Sequence, residues 1–341
     1  MARALLLSLV VAVCAAAPAA AANPWLAPER KLLNIAHQGG EDEAPSNTLF
    51  SYQRALALGA DMLEMDVNIT ADRRVVVMHD THLGRMCRPD LKVNQLTLDE
   101  VKKYDPACRD WQGTYAGIAT GDKAPPPGFT RADFQIPTLE EVVERFPGVL
   151  MNVEIKGAAP DHADVRDFVT DTAGRHPTAL DNAVAVAGVL NRYKADRVGR
   201  TIVVSFADSA IELFHLHAPD LDVATGLETT AAFWASTQGP LPGLTDSRHV
   251  AVQPPLSFNG VTVVNQDFVT DAHRNGLAVH PWTINSEADM RQLLDWGVEG
   301  IMTDKPCLLE EVLRDYRPAP RLKKSSPCHP DTHWPRVPAT R

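Results

Sequence analysis

Short apolar and β-branched runs recur along the chain from residue 32 onward, at 32–36, 62–69, 75–78, 149–155, 201–206, 222–225, 249–252, 277–282 and 300–303. Most are separated by stretches whose apolar residues repeat at helical spacing, at 47–58, 138–146, 208–217, 266–275 and 286–296. The punctuation agrees with that reading. Pro45-Ser46-Asn47 opens the first helical stretch and Gly59 stops it, Thr138-Leu139-Glu140-Glu141 has the form of a capping box, and Asn275-Gly276 and Gly297 read as helix ends. Strands alternating with helices imply a parallel sheet with helical crossovers.

Nine candidate strands exceed by one the eight of a (β/α)8 barrel, the architecture that best fits the alternation. The surplus segment, 75–78, follows 62–69 after a four-residue turn with no helix between them, which leaves a local hairpin or an irregular barrel element. Residues 81–135 break the alternation. They contain one short helical stretch, 97–104, two cysteines and the run Pro125-Pro126-Pro127-Gly128, and read as an insertion on the face that carries barrel active sites. At 341 residues the chain fits one α/β (TIM) barrel domain, spanning 30–316, with a low-structure tail at 317–341.

The first 22 residues differ in kind. Arg3 precedes an uncharged apolar run from Ala4 to Ala17, then Pro18 and four alanines, the pattern of a cleaved signal peptide. The run is shorter than the roughly 20 residues of a membrane span. The expected location is therefore secreted or periplasmic, with no integral membrane segment after signal removal. In that oxidising setting the four remaining cysteines suggest the pairs Cys87–Cys108 and Cys307–Cys328, each closing a short loop. The net charge of −10 argues against nucleic acid or an anionic membrane as partner. A phosphate-bearing substrate would then need a bound cation or a well-placed basic side chain.

Four clusters at strand ends hold the candidate chemistry. His37-Gln38-Gly39-Gly40 follows the first strand. Its imidazole suits proton transfer, although the same sequence also makes a plain turn. In Leu63-Glu64-Met65-Asp66-Val67 the two-residue period puts both carboxylates on one face of an apolar strand. Unless that strand is a solvent-facing edge, the pair repels unless a cation neutralises it. Val77-Met78-His79-Asp80 offers a second imidazole, which Asp80 could orient, although a turn cap is the preferred reading of Asp80. In Asn152-Val153-Glu154-Ile155-Lys156 the same period aligns a third carboxylate with a lysine that could hold phosphate or simply pair with Glu154. Three carboxylates without thiolates favour a hard divalent cation, Ca²⁺ or Mg²⁺, over zinc.

In this order the motifs resemble the glycerophosphodiester phosphodiesterase family. The quoted residues are His37-Gln38-Gly39, Pro45-Ser46-Asn47-Thr48, Gly59-Ala60-Asp61 through Glu64-Met65-Asp66-Val67, His79-Asp80, Glu154-Ile155-Lys156, Trp282-Thr283-Ile284-Asn285 and Gly300 through Thr303-Asp304-Lys305-Pro306. The likeness runs from about residue 33 to 312. It implies a (β/α)8 barrel that hydrolyses glycerophosphodiesters to an alcohol and sn-glycerol 3-phosphate. By the same likeness His37 and His79 are the acid/base pair, Glu64, Asp66 and Glu154 the metal ligands, Lys156 a phosphate contact, and Trp282 a wall of the pocket. Two positions depart from the family pattern. Gln38 stands where the family has Arg and can donate hydrogen bonds to phosphate but brings no charge, and Ser46 stands where the family has Glu.

Two other readings remain. A lysophospholipase D or sphingomyelinase D-like enzyme would share the plan and need an apolar mouth, for which Phe129, Phe134, Phe233 and Trp234 are candidates. A non-catalytic exported binding protein would be consistent with the missing arginine. The sequence does not indicate the oligomeric state.

Overall fold

A computed structural model describes residues 23–30, 32–157, 176–239 and 248–316. The proposed signal segment, the tail and the partner half of the Cys307–Cys328 pair lie outside the described residues. In chain order the strands are β1 (Leu33–Ala36), β2 (Met62–Ile69), β3 (Val75–Val77), β4 (His82–Leu83), β5 (Arg88–Lys92), β6 (Leu150–Ile155), β7 (Thr201–Val204), β8 (Asp222–Ala224), β9 (His249–Val252), β10 (Ser257–Phe258), β11 (Val261–Thr262), β12 (Ala278–Val279) and β13 (Gly300–Thr303).

Eight of them form one parallel sheet in the order β12-β9-β8-β7-β6-β2-β1-β13. The two end strands approach each other through the segment after β12, where Met302 N–H donates to Pro281 O (3.0 Å) and Ile284 N–H to Met302 O (2.9 Å). The result is a nearly closed eight-stranded barrel. The ninth candidate strand is a hairpin: β3 pairs antiparallel with the end of β2, Val67 opposite Val77 and Ile69 opposite Val75, and lies off the barrel path.

The two-residue period sorts the core into layers. Leu63, Met65 and Val67 of β2 pack outward against helix residues such as Val186, Leu190 and Leu139, while Met62 belongs to the interior layer with Ile35, Ile202, Ala224, Ala251, Ala278 and Met302. Trp25 is fully buried in that interior cluster, and its indole N–H donates to Asp222 Oδ2 at 2.8 Å. Met62 and Trp25 are therefore on the interior side, and Glu64 and Asp66 share the direction of Met62.

The helix ends obey their caps. Thr138 N–H donates to Glu141 Oε2 (2.7 Å) while Thr138 Oγ1 accepts from Glu141 N–H (3.1 Å), and Gly297 ends Glu287–Trp296 with φ of 89°. The first helix starts two residues later than its sequence signals imply, at Leu49, with Thr48 as cap. Asn47 is left outside it with φ of 58° and is used by the site. Helices Ala179–Arg192, Leu227–Thr237 and Pro306–Asp315 carry no helical reading in the sequence. The first two are rich in Ala with few charges, so their polar face is thin and their periodicity weak. Among the described residues no helix is long and apolar enough to cross a membrane.

Within 81–135, β4 and β5 form a two-stranded hairpin, and Cys87 and Cys108 are joined by a disulfide. Phe129 and Phe134 pack with Phe50 and Tyr115, with Phe50 and Phe134 stacked at 4.3 Å between ring centres. Phe233 is buried against Phe268, and the Trp234 indole donates to Thr262 O. The aromatics considered for an apolar mouth are therefore held in ordinary packing.

Candidate active site

Glu64 and Asp66 lie on β2 and Glu154 on the adjacent β6, where Asp66 is the register partner of Glu154. Each of the three offers a carboxylate oxygen within 4.8 Å of the others. Parallel pairing makes this convergence inevitable once β2 and β6 are neighbours, because residues of one face at matched register stand side by side. Glu64 and Asp66 are 2 % and 0 % exposed. Burial, and then the neighbouring Asp66, push the Glu64 carboxyl well above the usual carboxylate range. Burial opposes ionisation of Asp66 too, but Lys156 and the imidazoles of His79 and His37 outweigh it and hold Asp66 down to about 2.

Lys156 sits among them. Its Nζ donates to Glu154 Oε1 (2.9 Å) and to His79 Nε2 (3.1 Å), and lies 3.5 Å from Asp66 Oδ1. Burial disfavours its charge, yet Glu154 and Asp66 raise its pKa, so it stays a cation. Three carboxylates against one lysine leave a surplus of two negative charges if all ionise. Asp66 Oδ1 is buried without a hydrogen-bond partner. An oxygen-only donor set with an orphaned buried carboxylate oxygen and that charge deficit fits a hard divalent cation.

The two imidazoles reach this cluster from the segments that follow two strands paired with β2, His37 after β1 and His79 after β3. His37 Nδ1 is 2.6 Å from Asp304 Oδ1, and Asp304 Oδ2 accepts from Asn285 Nδ2 at 2.6 Å. Asn285 Oδ1 in turn accepts from the backbone N–H of Asp304 at 3.0 Å. The late Thr-Asp-x-Pro and Trp-Thr-x-Asn segments thus serve to aim His37, a role the sequence reading did not give them, although Asp304 at the end of a barrel strand was signal enough. Burial works against the His37 charge, but the hydrogen bond to Asp304 and the field of Glu64 prevail and raise its pKa to about 9.

His79 Nδ1 is 2.7 Å from Asp80 Oδ1. Asp80 orients an imidazole here, and the turn-cap reading is corrected. Asn68 holds this turn, its Nδ2 donating to the carbonyls of Met78, His79 and Asp80, while the Asp80 carboxylate faces the ring with one oxygen and lies 3.4 Å from Arg85 Nε with the other.

Gln38 is 1 % exposed, with φ of 51°, and its backbone N–H donates to Glu64 Oε2 at 2.7 Å. Its side-chain Oε1 accepts from Asn47 Nδ2 (3.2 Å) and Arg85 Nη1 (3.1 Å). Asn47 also donates to Asp66 Oδ2 (3.0 Å). Gly39, φ 82°, leaves no room for a Cβ, which would stand 2.4 Å from Ser51 Oγ. Trp282 packs on Phe206 at 5.6 Å between rings, with Lys156 Nζ 5.9 Å from that Phe206 ring, and its indole donates to Gln253 O. Arg85 and Glu41 were not singled out in the sequence. Arg85 pairs with Glu41 and donates to Ser46 Oγ at 3.1 Å.

The family model for the glycerophosphoryl diester phosphodiesterases matches residues 37–308. A glycerophosphodiester phosphodiesterase of Bacillus subtilis (strain 168) is 31% identical over 299 residues, covering 87% of this chain and 92% of the relative. A lysophospholipase D of Rattus norvegicus is 24% identical over 307 residues, covering 83% of this chain and 86% of its own. Among solved structures, an Oleispira antarctica phosphodiesterase in complex with the product sn-glycerol-3-phosphate aligns with a TM-score of 0.59 at 19% identity, over 84% of this chain and 98% of the other. A Parabacteroides distasonis glycerophosphodiester phosphodiesterase aligns at 0.56 and 22% identity, over 83% and 95%. With the barrel, the strand-end carboxylates and the two oriented imidazoles in place, this chain belongs to the glycerophosphoryl diester phosphodiesterase family.

Proposed function

We propose that this protein hydrolyses glycerophosphodiesters to an alcohol and sn-glycerol 3-phosphate, in a reaction that depends on a divalent cation, Ca²⁺ or Mg²⁺. The observation that carries the reading is the convergence of Glu64, Asp66 and Glu154 beside Lys156 and two carboxylate-oriented imidazoles. The three carboxylates would hold the cation, which when bound draws charge from the phosphoryl oxygens.

The imidazoles have different hydrogen-bond partners. His37 keeps its proton through neutral pH and is suited to give it to the departing alkoxide. At His79 the lysine donates to Nε2, so the ring proton belongs on Nδ1 facing Asp80, and Nε2 is left as an acceptor. When Lys156 turns to a substrate oxygen, that lone pair is free to take a proton from the attacking nucleophile. Asp304 and Asp80 keep the two rings in place. Trp282 and Phe206 would wall the pocket beside Lys156.

We assign the first 22 residues as an export signal and the mature protein to a secreted or periplasmic location, a reading the cystine Cys87–Cys108 supports. A lysophospholipid substrate is the second reading. It rests on the likeness to proteins named lysophospholipase D.

The test is release of sn-glycerol 3-phosphate and free alcohol from a panel of glycerophosphodiesters and lysophospholipids. The activity should vanish with chelator and return with Ca²⁺ or Mg²⁺. A rate indifferent to chelation would remove the role given to the three carboxylates. No metal-dependent release from any of them would leave a binding protein.

A further inference from the structure

The family resemblance places an arginine directly after the first histidine, and this chain has Gln38 there. Yet a guanidinium stands against the Gln38 side chain. Arg85 reaches it from the turn of the β4–β5 hairpin, inside the insertion. Its Nη1 donates to Gln38 Oε1 and Ser46 Oγ, both at 3.1 Å, and pairs with Glu41. Its Nε lies 3.4 Å from Asp80 Oδ2, out of line for a hydrogen bond, and is a buried donor without a partner. Its charge also acts on Asp304. Arg85 therefore stands in the field of both carboxylates that orient the imidazoles.

The backbone beneath it is held from three directions. Met86 N–H and Cys87 N–H close the turn onto Leu83 O and Gly84 O, both at 3.0 Å. Arg109 N–H donates to Arg85 O at 3.0 Å, next to the Cys87–Cys108 disulfide. Met86 is buried among Val76, Met78 and Leu83. A merely solvated surface arginine needs none of this. The side chain is 16% exposed and lines one pocket with Ser46, His79 and Asp80.

We propose that Arg85, presented by the cystine-braced hairpin, is a phosphate-binding cation of this active site and supplies the positive charge that Gln38 lacks. Gln38, Ser46 and Glu41 then act as its bracket, which accounts for both departures from the family pattern at once. The inference builds on the phosphodiesterase reading, and only the position of the cation is new.

The experiment compares the wild-type protein with Arg85→Ala, Arg85→Lys, Gln38→Arg and the double variant Arg85→Ala/Gln38→Arg. KM and kcat are measured on a glycerophosphodiester with Ca²⁺, and binding of sn-glycerol 3-phosphate and of inorganic phosphate is measured by calorimetry. Arg85→Ala should weaken KM and product binding by about 10-fold to 100-fold, as expected for loss of a charge-assisted contact. Arg85→Lys should retain part of that loss, and the double variant should recover it. Arg88→Ala, in the same hairpin but exposed and paired with Asp90, should resemble the wild type. Unchanged KM and product affinity in Arg85→Ala would overturn the proposal. So would a loss that Gln38→Arg does not repair, because that marks Arg85 as a structural brace. Should Arg85→Ala fail to fold, Arg85→Lys decides: wild-type KM and wild-type product affinity there would equally overturn it. If the wild type hydrolyses no diester, the enzymatic reading fails, while the calorimetric comparison still decides Arg85: binding by the wild type and not by Arg85→Ala supports it, and no binding by the wild type overturns it.

Discussion

His280 follows β12 in the barrel interior, fully buried, with neither ring nitrogen hydrogen-bonded. Its ring meets Trp25 edge-on at 6.3 Å, and Gly300 backs it so closely that a Cβ there would lie 3.1 Å from His280 Cδ2. Burial drives its pKa down to about 4, against a minor opposing pull from Glu299. Because the folded-state value lies below the ordinary 6.5, protons bind the unfolded chain first. The stability is therefore complete above the ordinary value and is lost as pH falls through the window between the two. The full loss is about 3 kcal/mol, of which about 2 kcal/mol is gone by roughly pH 5. Replacing His280 with Leu removes the titration and should cost no more than about 1.5 kcal/mol at neutral pH. Urea unfolding of both proteins at roughly pH 8 and roughly pH 5 isolates the effect, since every other group titrates alike in the two. The variant should gain about 2 kcal/mol on the wild type across that interval. A wild-type-minus-variant difference that stays constant with pH would refute the reasoning and place a proton acceptor beside the ring.

His37→Ala and His79→Ala should each lower turnover by at least about 10²-fold, and near-normal turnover in either would remove that residue from the chemistry. Asp304→Asn and Asp80→Asn should lower kcat more than they raise KM, because each carboxylate holds an imidazole by a hydrogen bond. The Asp304 change should also lower the His37 pKa from about 9, read by NMR titration of the imidazole. Adding Ca²⁺ to the unmodified protein should lower the same pKa, since positive charge beside Glu64 offsets the field that raises it. A value unmoved by saturating Ca²⁺ would mean the ion binds elsewhere. Reducing Cys87–Cys108, or replacing both with Ser, should cost about 3 kcal/mol in the chain-entropy picture for a loop of this length, measured by urea unfolding.

The barrel was legible because its signals are local. β-branched runs, caps and glycine stops recur with the right spacing, and period two alone put Glu64 with Asp66 and Glu154 with Lys156 on common faces. Cys87 and Cys108 could be paired because the loop between them is short. The sequence could not decide whether 75–78 belonged to the barrel, since a short apolar run reads the same in a hairpin and in a wall. That depended on which edge of β2 was free: β6 pairs with Met62–Val67, but β1 pairs only with Met62 and Leu63, which leaves the far end of β2 open to β3.

The linear order of residues set the period of each strand, and hence which side chains point inward together. Only closure of the sheet decided which of those faces meet. It brought β6 beside β2 across more than eighty residues, so that Asp66 and Glu154 became register partners, and brought β13 beside β1, so that Asp304 reached His37. Arg85 makes the same point from a loop. A guanidinium can replace one lost 47 residues earlier because charge acts through distance in space, and chain separation does not enter Coulomb's law.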